Sequence, residues 1–247
     1  MLTKKVVKYI QSLNQKKFRE EEGVFVAEGP KVIAEFLLQG KIDCQAIYAE
    51  KDWMENNRNL VNLLSADKIT IIDNQLLARI SHLKTPNQVL GIFKKPDTLY
   101  PEIKNKISIM LDELQDPGNL GTIIRTADWF GVENIICSAN SVDCYNQKVV
   151  QSTMGSLLRV NIFYTDLNSF IDKNEFIKIY AAALEGNSIF KMGKIDEGII
   201  LIGNESKGIR GELQERSFEK ITIPKIGLAE SLNAAVATGI ILAQIKN

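Results

Sequence analysis

The sequence predicts an α/β protein with a mostly parallel sheet. Short apolar runs rich in Ile and Val recur between segments of helical spacing, most clearly from residue 107 onward. Strands of that kind are buried on both faces, as in a parallel sheet covered by helices. At 247 residues, 45% apolar and 24% charged, the chain holds one large domain or two modest ones, with the composition of an ordinary globular protein.

In order, Val6, Val7, Ile10 and Leu13 fall at helical spacing between Thr3 and Leu13, with Lys4, Lys5 and Lys8 left toward solvent. Lys16, Lys17 and Arg19 extend this basic stretch, and Glu20 to Gly23 reads as an acidic turn. Val24 to Ala27 reads as a strand, and Pro30 opens a helix whose apolar face is Val32, Ile33, Phe36 and Leu37. Strands are expected at 46–49, 68–72 and 88–93, with a polar helix near 60–64. The two prolines of 94–101 and the loss of periodicity mark a boundary, giving a domain over 1–95, a linker over 96–104 and a domain over 105–247. In the second part, strands are expected at 107–111, 134–137, 159–163, 179–183, 198–203 and 221–223, so that ligands would gather at their carboxyl ends.

Net charge is zero, which argues against a nucleic-acid field spread over the whole chain. Cys44, Cys137 and Cys144 are odd in number and lack metal-ligand spacing, so buried small side chains are expected, with neither a disulfide framework nor a metal site. The N-terminus lacks the apolar core of a signal peptide, and no run is long enough to cross a membrane; the expectation is a cytoplasmic protein. His82 is the only histidine, and a packing or surface role is expected for it.

Three stretches carry the chemistry. The last, Ile223-Pro224-Lys225-Ile226-Gly227-Leu228-Ala229-Glu230-Ser231-Leu232-Asn233, leads into a helix that is hydrophobic nearly all round and must be buried. Its small residues, Ala234, Ala235, Ala237, Thr238 and Gly239, permit a close neighbour, and Ser231 is a candidate N-cap. The others are Asp116-Pro117-Gly118-Asn119-Leu120-Gly121-Thr122-Ile123-Ile124-Arg125 and Leu201-Ile202-Gly203-Asn204-Glu205-Ser206-Lys207-Gly208. Gly118 and Gly121 invite a dinucleotide reading. It fails, because neither G-x-G-x-x-G nor a nucleoside-triphosphate P-loop is present.

Taken in this order, the three stretches resemble the motifs of the SpoU (TrmH-type) RNA 2′-O-ribose methyltransferases of the knotted SPOUT superfamily. The resemblance implies a trefoil-knotted, parallel-sheet methyltransferase domain, a homodimer, and S-adenosylmethionine held by Gly203, Asn204, Ile223, Pro224 and Leu232, with Ala183 and Leu184 as a further part of the pocket. It places Arg125, Asn119, Glu205, Ser231 and Asn233 at the catalytic centre and implies no metal. A guanidinium has a pKa above about 12 and is a poor proton acceptor. Arg125 is therefore expected to bind a flanking phosphate and stabilise the alkoxide, with Glu205 either a base or a brace for Arg125 or the loop. Asn119 and Asn233 could each cap a helix or meet substrate. Ser206, Lys225 and Ala234 depart from the family's usual residues.

Residues 1–95 resemble the ribosomal-protein-like substrate-binding domain that many members carry, through Phe25-Val26-Ala27-Glu28-Gly29 and Thr85-Pro86-Asn87-Gln88-Val89-Leu90-Gly91. The second departs from the family's Pro-Gln-Gly, leaving Asn87 and Gln88 as RNA contacts or as a turn feeding a strand. The function so implied is ribose methylation of structured RNA, ribosomal rather than transfer RNA, and not DNA. A non-catalytic RNA-binding or ribosome-assembly factor on the same fold is the rival.

Overall fold

The computed structural model describes residues 2–246; Met1 and Asn247, the ends of the two expected domains, lie outside the described residues. The chain divides into two compact units, Met1–Asp97 with Tyr145–Leu158, and Thr98–Cys144 with Arg159–Asn247.

The first unit opens with α1 (Lys4–Ser12), capped by Thr3, whose Oγ1 accepts the Val6 amide at 3.3 Å. Val7, Ile10 and Leu13 are buried and the three lysines are exposed, as the spacing predicts. The next stretch differs from expectation, because 16–22 forms a helix, α2 (Lys16–Glu22), ended by Gly23 at φ 64°. Lys16 and Lys17 pair with Glu20 and Glu21 one turn on, at 3.7 and 3.8 Å. Arg19 is buried and donates from Nη1 to the carbonyls of Leu13 and Asn14 at 2.9 and 2.7 Å, closing the end of α1. It is therefore a structural cation, and the exposed, unpaired positive face reduces to Lys4, Lys5 and Lys8.

Next come β1 (Val24–Glu28), α3 (Pro30–Gln39), β2 (Cys44–Ala49), two short helices α4 (Lys51–Asn56) and α5 (Arg58–Val61), β3 (Ile69–Ile71), α6 (Asn74–Ile80) and β4 (Val89–Lys94). The sheet order is β1-β4-β2-β3, antiparallel except for β2 with β3. One face packs Val26, Leu90 and Ile92 against α1 and α6 through Ile10, Leu77 and Ile80. On the other, the ring of Phe36 meets Phe25 and Phe93 edge to face, and Tyr145 lies tilted with its centroid 4.8 Å from that of Phe25. The segment 145–158 includes α8 (Gln147–Thr153) and is fastened to this unit by Glu28. Its buried carboxylate takes hydrogen bonds from Ser81, Gln147 and the His82 amide, and its carbonyl accepts Gln151 Nε2 at 2.6 Å. Burial pushes the Glu28 carboxyl up, and the three donors oppose that shift.

The second unit holds β5 (Ile107–Leu111), α7 (Pro117–Trp129), β6 (Asn134–Ser138), β7 (Asn161–Thr165), α9 (Leu167–Asp172), β8 (Ile179–Ser188), β9 (Gly198–Ile202), α10 (Gly211–Glu215), β10 (Glu219–Thr222) and α11 (Ala234–Ile245). Six strands in the order β10-β8-β9-β5-β6-β7 are parallel throughout. Met110, Ile136, Ala181 and Leu201 form a core with Phe170 and Ile171 of α9 and Leu213 of α10, while α11 packs on α7. Residues 98–104 belong to this unit: Tyr100 lies against Phe163 and Phe170, and its hydroxyl accepts Asn174 Nδ2 at 2.9 Å. The chain runs β5, β6, β7 outward to one edge and returns on the other side of β5, so β5 and β9 meet at a topological switch point. All three cysteines are buried, and none is in a disulfide among the described residues.

Strand β8 is longer than the sequence suggests. Ala181 pairs with Lys220 and Asn187 with Ile221, so 182–186 bulges from the pairing with β10. A Cβ at Gly186 would lie 2.4 Å from the Lys220 carbonyl oxygen, which permits no side chain there. Gly186→Ala should destabilise the protein by about 1–3 kcal/mol through this backbone collision, measured by urea unfolding.

Candidate active site

The loops that follow β5, β9 and β10 carry the three motifs, and the structure interlocks them. After β5, Asp112 to Gln115 lead to Asp116, whose Oδ1 accepts the Asn119 amide at 2.8 Å and caps α7; Pro117 follows at its first turn. After β9 the chain turns tightly. The Asn204 amide donates to the Gly208 carbonyl at 3.0 Å and the Gly208 amide returns to the Asn204 carbonyl at 2.9 Å. Asn204 Oδ1 accepts the amides of Ser206 and Lys207, and its Nδ2 donates to the Glu113 carbonyl at 2.7 Å. Gly208 supplies φ 69°, so Ser206 sits in the turn without a left-handed backbone. A Cβ at Gly203 would lie 2.3 Å from the Gly208 carbonyl carbon, so the turn closes only on glycine.

Glu205 joins this turn to α7. Its Oε1 accepts Asn119 Nδ2 at 3.0 Å and the Asp116 amide at 3.2 Å, while Oε2 accepts the Gln115 amide at 3.4 Å. Burial alone would raise its pKa, yet these donors together hold the carboxyl below the usual carboxylate range. Asn119, nearly buried, in turn accepts Asn233 Nδ2 on its Oδ1 at 2.8 Å. Asn233 Oδ1 accepts the amides of Ala235 and Val236 at 2.9 and 3.2 Å. A single chain of side chains, Glu205 to Asn119 to Asn233, thus ties the three motifs together.

Two expectations are corrected by this geometry. Asn233, not Ser231, is the N-cap of α11, because the helix begins at Ala234 and only the Asn233 carboxamide reaches its first amides. Ser231 is exposed in the loop and makes no side-chain hydrogen bond to any described residue. Glu205 does not brace Arg125, since its oxygens are occupied by Asn119 and two backbone amides. Arg125 projects from α7 into solvent with no hydrogen bond or ion pair to any described residue. The structure therefore unites Asn119, Glu205, Asn233, Gly203 and Asn204 in direct contacts, and leaves Arg125 and Ser231 unengaged.

Of the expected cofactor residues, Ala183 and Leu184 lie in the 182–186 bulge, which Thr222 Oγ1 fastens by donating to the Leu184 carbonyl at 3.0 Å. Leu184 is 73% exposed, Leu232 48%, Pro224 exposed and Ile223 half-buried. The loop beyond Pro224 is less pinned than its sequence suggests, with Ile226 and Leu228 bare to solvent. A cavity of about 390 Å³ is lined by Gly186, Asn187, Ser188, Lys191, Met192 and Glu219; its walls are polar, and only Gly186 borders the expected pocket. Among the described residues no group of three or more His, Cys, Asp or Glu side chains is placed to hold a metal ion.

One pair escapes the sequence reading. Asp112, 1% exposed, accepts the Arg210 amide and Nε, both at 2.8 Å, and so anchors the far end of the Gly203 turn to β5. An aspartate directly after an apolar strand was the available signal, but its partner lies 98 residues away.

A six-stranded parallel sheet whose switch-point loops are cross-linked into one site, with a second small α/β unit, defines the class: a two-part α/β protein with a ligand site at the carboxyl edge of its parallel sheet. The SpoU rRNA methylase family model matches residues 106–243, and the MRM3-like substrate binding domain matches residues 4–91. The chain belongs to the SpoU rRNA methylase family and is an RNA methyltransferase. It is 27% identical to the 23S rRNA (guanosine(2553)-2′-O)-methyltransferase RlmP of Bacillus subtilis, over 97% of this chain and 95% of that one. A solved TrmH-family structure from Porphyromonas gingivalis superposes with TM-score 0.86 at 31% identity, covering 99% and 98% of the two chains. The AdoMet-bound rRNA methyltransferase of Sinorhizobium meliloti gives 0.87 at 29% identity, covering 100% and 95%.

Asn233→Ala should cost about 1–2 kcal/mol by removing the cap, whereas Ser231→Ala should change stability by less than about 0.5 kcal/mol; urea unfolding of both separates the two assignments. Because the Glu205 pKa is depressed in the folded protein, its contribution is complete above 4.5 and is lost as pH falls below that value. Glu205→Gln should therefore show a smaller loss of stability in acid than the wild type.

Proposed function

We propose that this protein transfers a methyl group from S-adenosylmethionine to a ribose 2′-hydroxyl of ribosomal RNA, acting as a cytoplasmic homodimer. Residues 1–95 present the RNA and residues 105–247 carry out transfer, with the chain after Pro224 threaded as a knot. The observation that carries this reading is the Glu205–Asn119–Asn233 chain, which fixes three loops, with Arg125 unengaged further along α7. Ribosomal over transfer RNA is supported by the whole-length likeness to RlmP. RNA over DNA follows from the acceptor, since DNA has no 2′-hydroxyl.

The residues present fit the cofactor. Gly203 and Gly186 keep two backbone turns too close for side chains, so that main-chain atoms alone meet there. Leu184, Ile223, Pro224 and Leu232 would cover the faces of the adenine, with backbone at Ala183, Gly203 and Asn204 along its edge. When bound, the cofactor supplies an electrophilic methyl on a sulfonium. Aligning two bound reactants can lower a barrier by roughly 7–11 kcal/mol, and the locked loops provide that alignment.

Arg125 binds the phosphate beside the target ribose and stabilises the developing alkoxide. Glu205 is a weak base here, because its oxygens are already accepting hydrogen bonds and its pKa is depressed. The proton leaves to the phosphate or to water. Glu205 and Asn119 act as positioning residues.

The apolar loop favours a partner subunit. Ile226 and Leu228 are fully exposed and Val236 is 50% exposed on α11; burying such side chains contributes about 1.5–3 kcal/mol each. Arg125→Ala should reduce methyl transfer to ribosomal RNA by orders of magnitude while calorimetry shows unchanged cofactor affinity. Parallel loss of cofactor binding would refute the role given to Arg125, and no transfer by the wild type would favour the non-catalytic rival. Leu232→Arg should leave the fold intact, since the side chain is half exposed, yet abolish cofactor binding and weaken the dimer in light scattering.

A further inference from the structure

The turn 84–88 of the first unit is built unlike an ordinary connection. Gln88 has φ 58°, a left-handed conformation uncommon for a residue other than Gly, Asn or Asp. The backbone around it is held: the Glu50 amide donates to the Gln88 carbonyl at 2.9 Å, the Val89 amide to the Asn87 carbonyl at 2.6 Å, and the Gly29 amide to the Val89 carbonyl at 2.8 Å. The side chains are not. Lys84, Thr85, Asn87 and Gln88 are exposed and make no side-chain hydrogen bond or ion pair with any described residue.

Strain retained at a rigid, exposed position points to use of the side chain rather than of the turn. Two adjacent carboxamides, each with a donor and an acceptor, suit the edge of a nucleobase, and Asn and Gln pair in bidentate fashion with adenine. In RNA such edges are open on unpaired nucleotides. We propose that Asn87 and Gln88 read the edge of an unpaired base, adenine foremost, in the RNA substrate, with Lys84 on an adjacent phosphate. The proposal rests on RNA being the substrate.

Gln88→Gly separates reading from folding, because glycine relieves the backbone while removing the carboxamide. Deproteinised ribosomal RNA is the probe, with filter binding over a salt series and thermal unfolding of each variant. Gln88→Gly should melt at the same or a higher temperature, yet bind roughly tenfold more weakly, as loss of one bidentate contact implies. Its salt slope should not change, whereas Lys84→Gln should reduce the slope by about 0.7. Asn87→Ala should follow Gln88→Gly. A Gln88→Gly protein that binds as the wild type does, or that loses affinity only through the salt slope, overturns the proposal. Binding is read without catalysis, so a wild type that binds but transfers no methyl refutes the proposed function and not this inference.

Discussion

The hydrogen bond between Asn119 and Glu205 is the contact on which the site depends. Its partners come from loops 86 residues apart, after strands that adjoin at the switch point of the sheet. The Glu205 carboxylate, though exposed, gathers three donors, Asn119 Nδ2 and two backbone amides. Asn119 has a second hydrogen-bonding group, its carbonyl oxygen, which accepts from Asn233. The start of α11 is thereby set relative to α7, and the loop between β10 and α11 has a fixed far end. Each of the three also acts locally, since Asn119 lies in the first turn of α7, Asn233 caps α11, and Glu205 gathers the amides that precede α7. Loss of any one would loosen both a helix end and a loop junction.

Around this chain lie two further braces. The Asp112 carboxylate holds Arg210, and Asn204 folds the glycine turn upon itself while reaching the Glu113 carbonyl. Glu113 is itself left-handed, at φ 53°, but its side chain has a use within the molecule, because Oε1 accepts Asn140 Nδ2 at 3.2 Å. Gln88 has comparable strain, and its side chain meets no described residue. That contrast is why the two are read differently, one as internal architecture and the other as a surface contact.

The same contrast between engaged and unengaged groups separates the roles in the proposed reaction. Asn119, Glu205 and Asn233 are engaged with one another and with backbone amides, which suits them to holding the loops in place. Arg125 is on the same helix as Asn119 but exposed and unpaired, which leaves its charge for an incoming phosphate. The apolar residues of 224–232 are equally unengaged. For them the missing partner is apolar, which supports a second subunit and the faces of a planar ligand.

The sequence alone determined the class of fold and most of its strands, because continuous apolar runs and helical spacing are local signals that depend on nothing distant. It also singled out the three stretches that the structure links by hydrogen bonds, since their residue types stand in order along the chain. What it did not determine was how those residues are used. Ser231 has the chemistry of an N-cap, and only the start of α11 at Ala234, with Asn233 held to Asn119, decides that Asn233 performs it. Arg19 reads as one more surface cation until α1 and α2 fold together and bury it. The extra helix over 16–22, the β8 bulge at 182–186 and the Asp112–Arg210 pair were likewise illegible, for one reason: each depends on groups brought together by packing, and a pairing across tens of residues leaves no periodic trace in either segment.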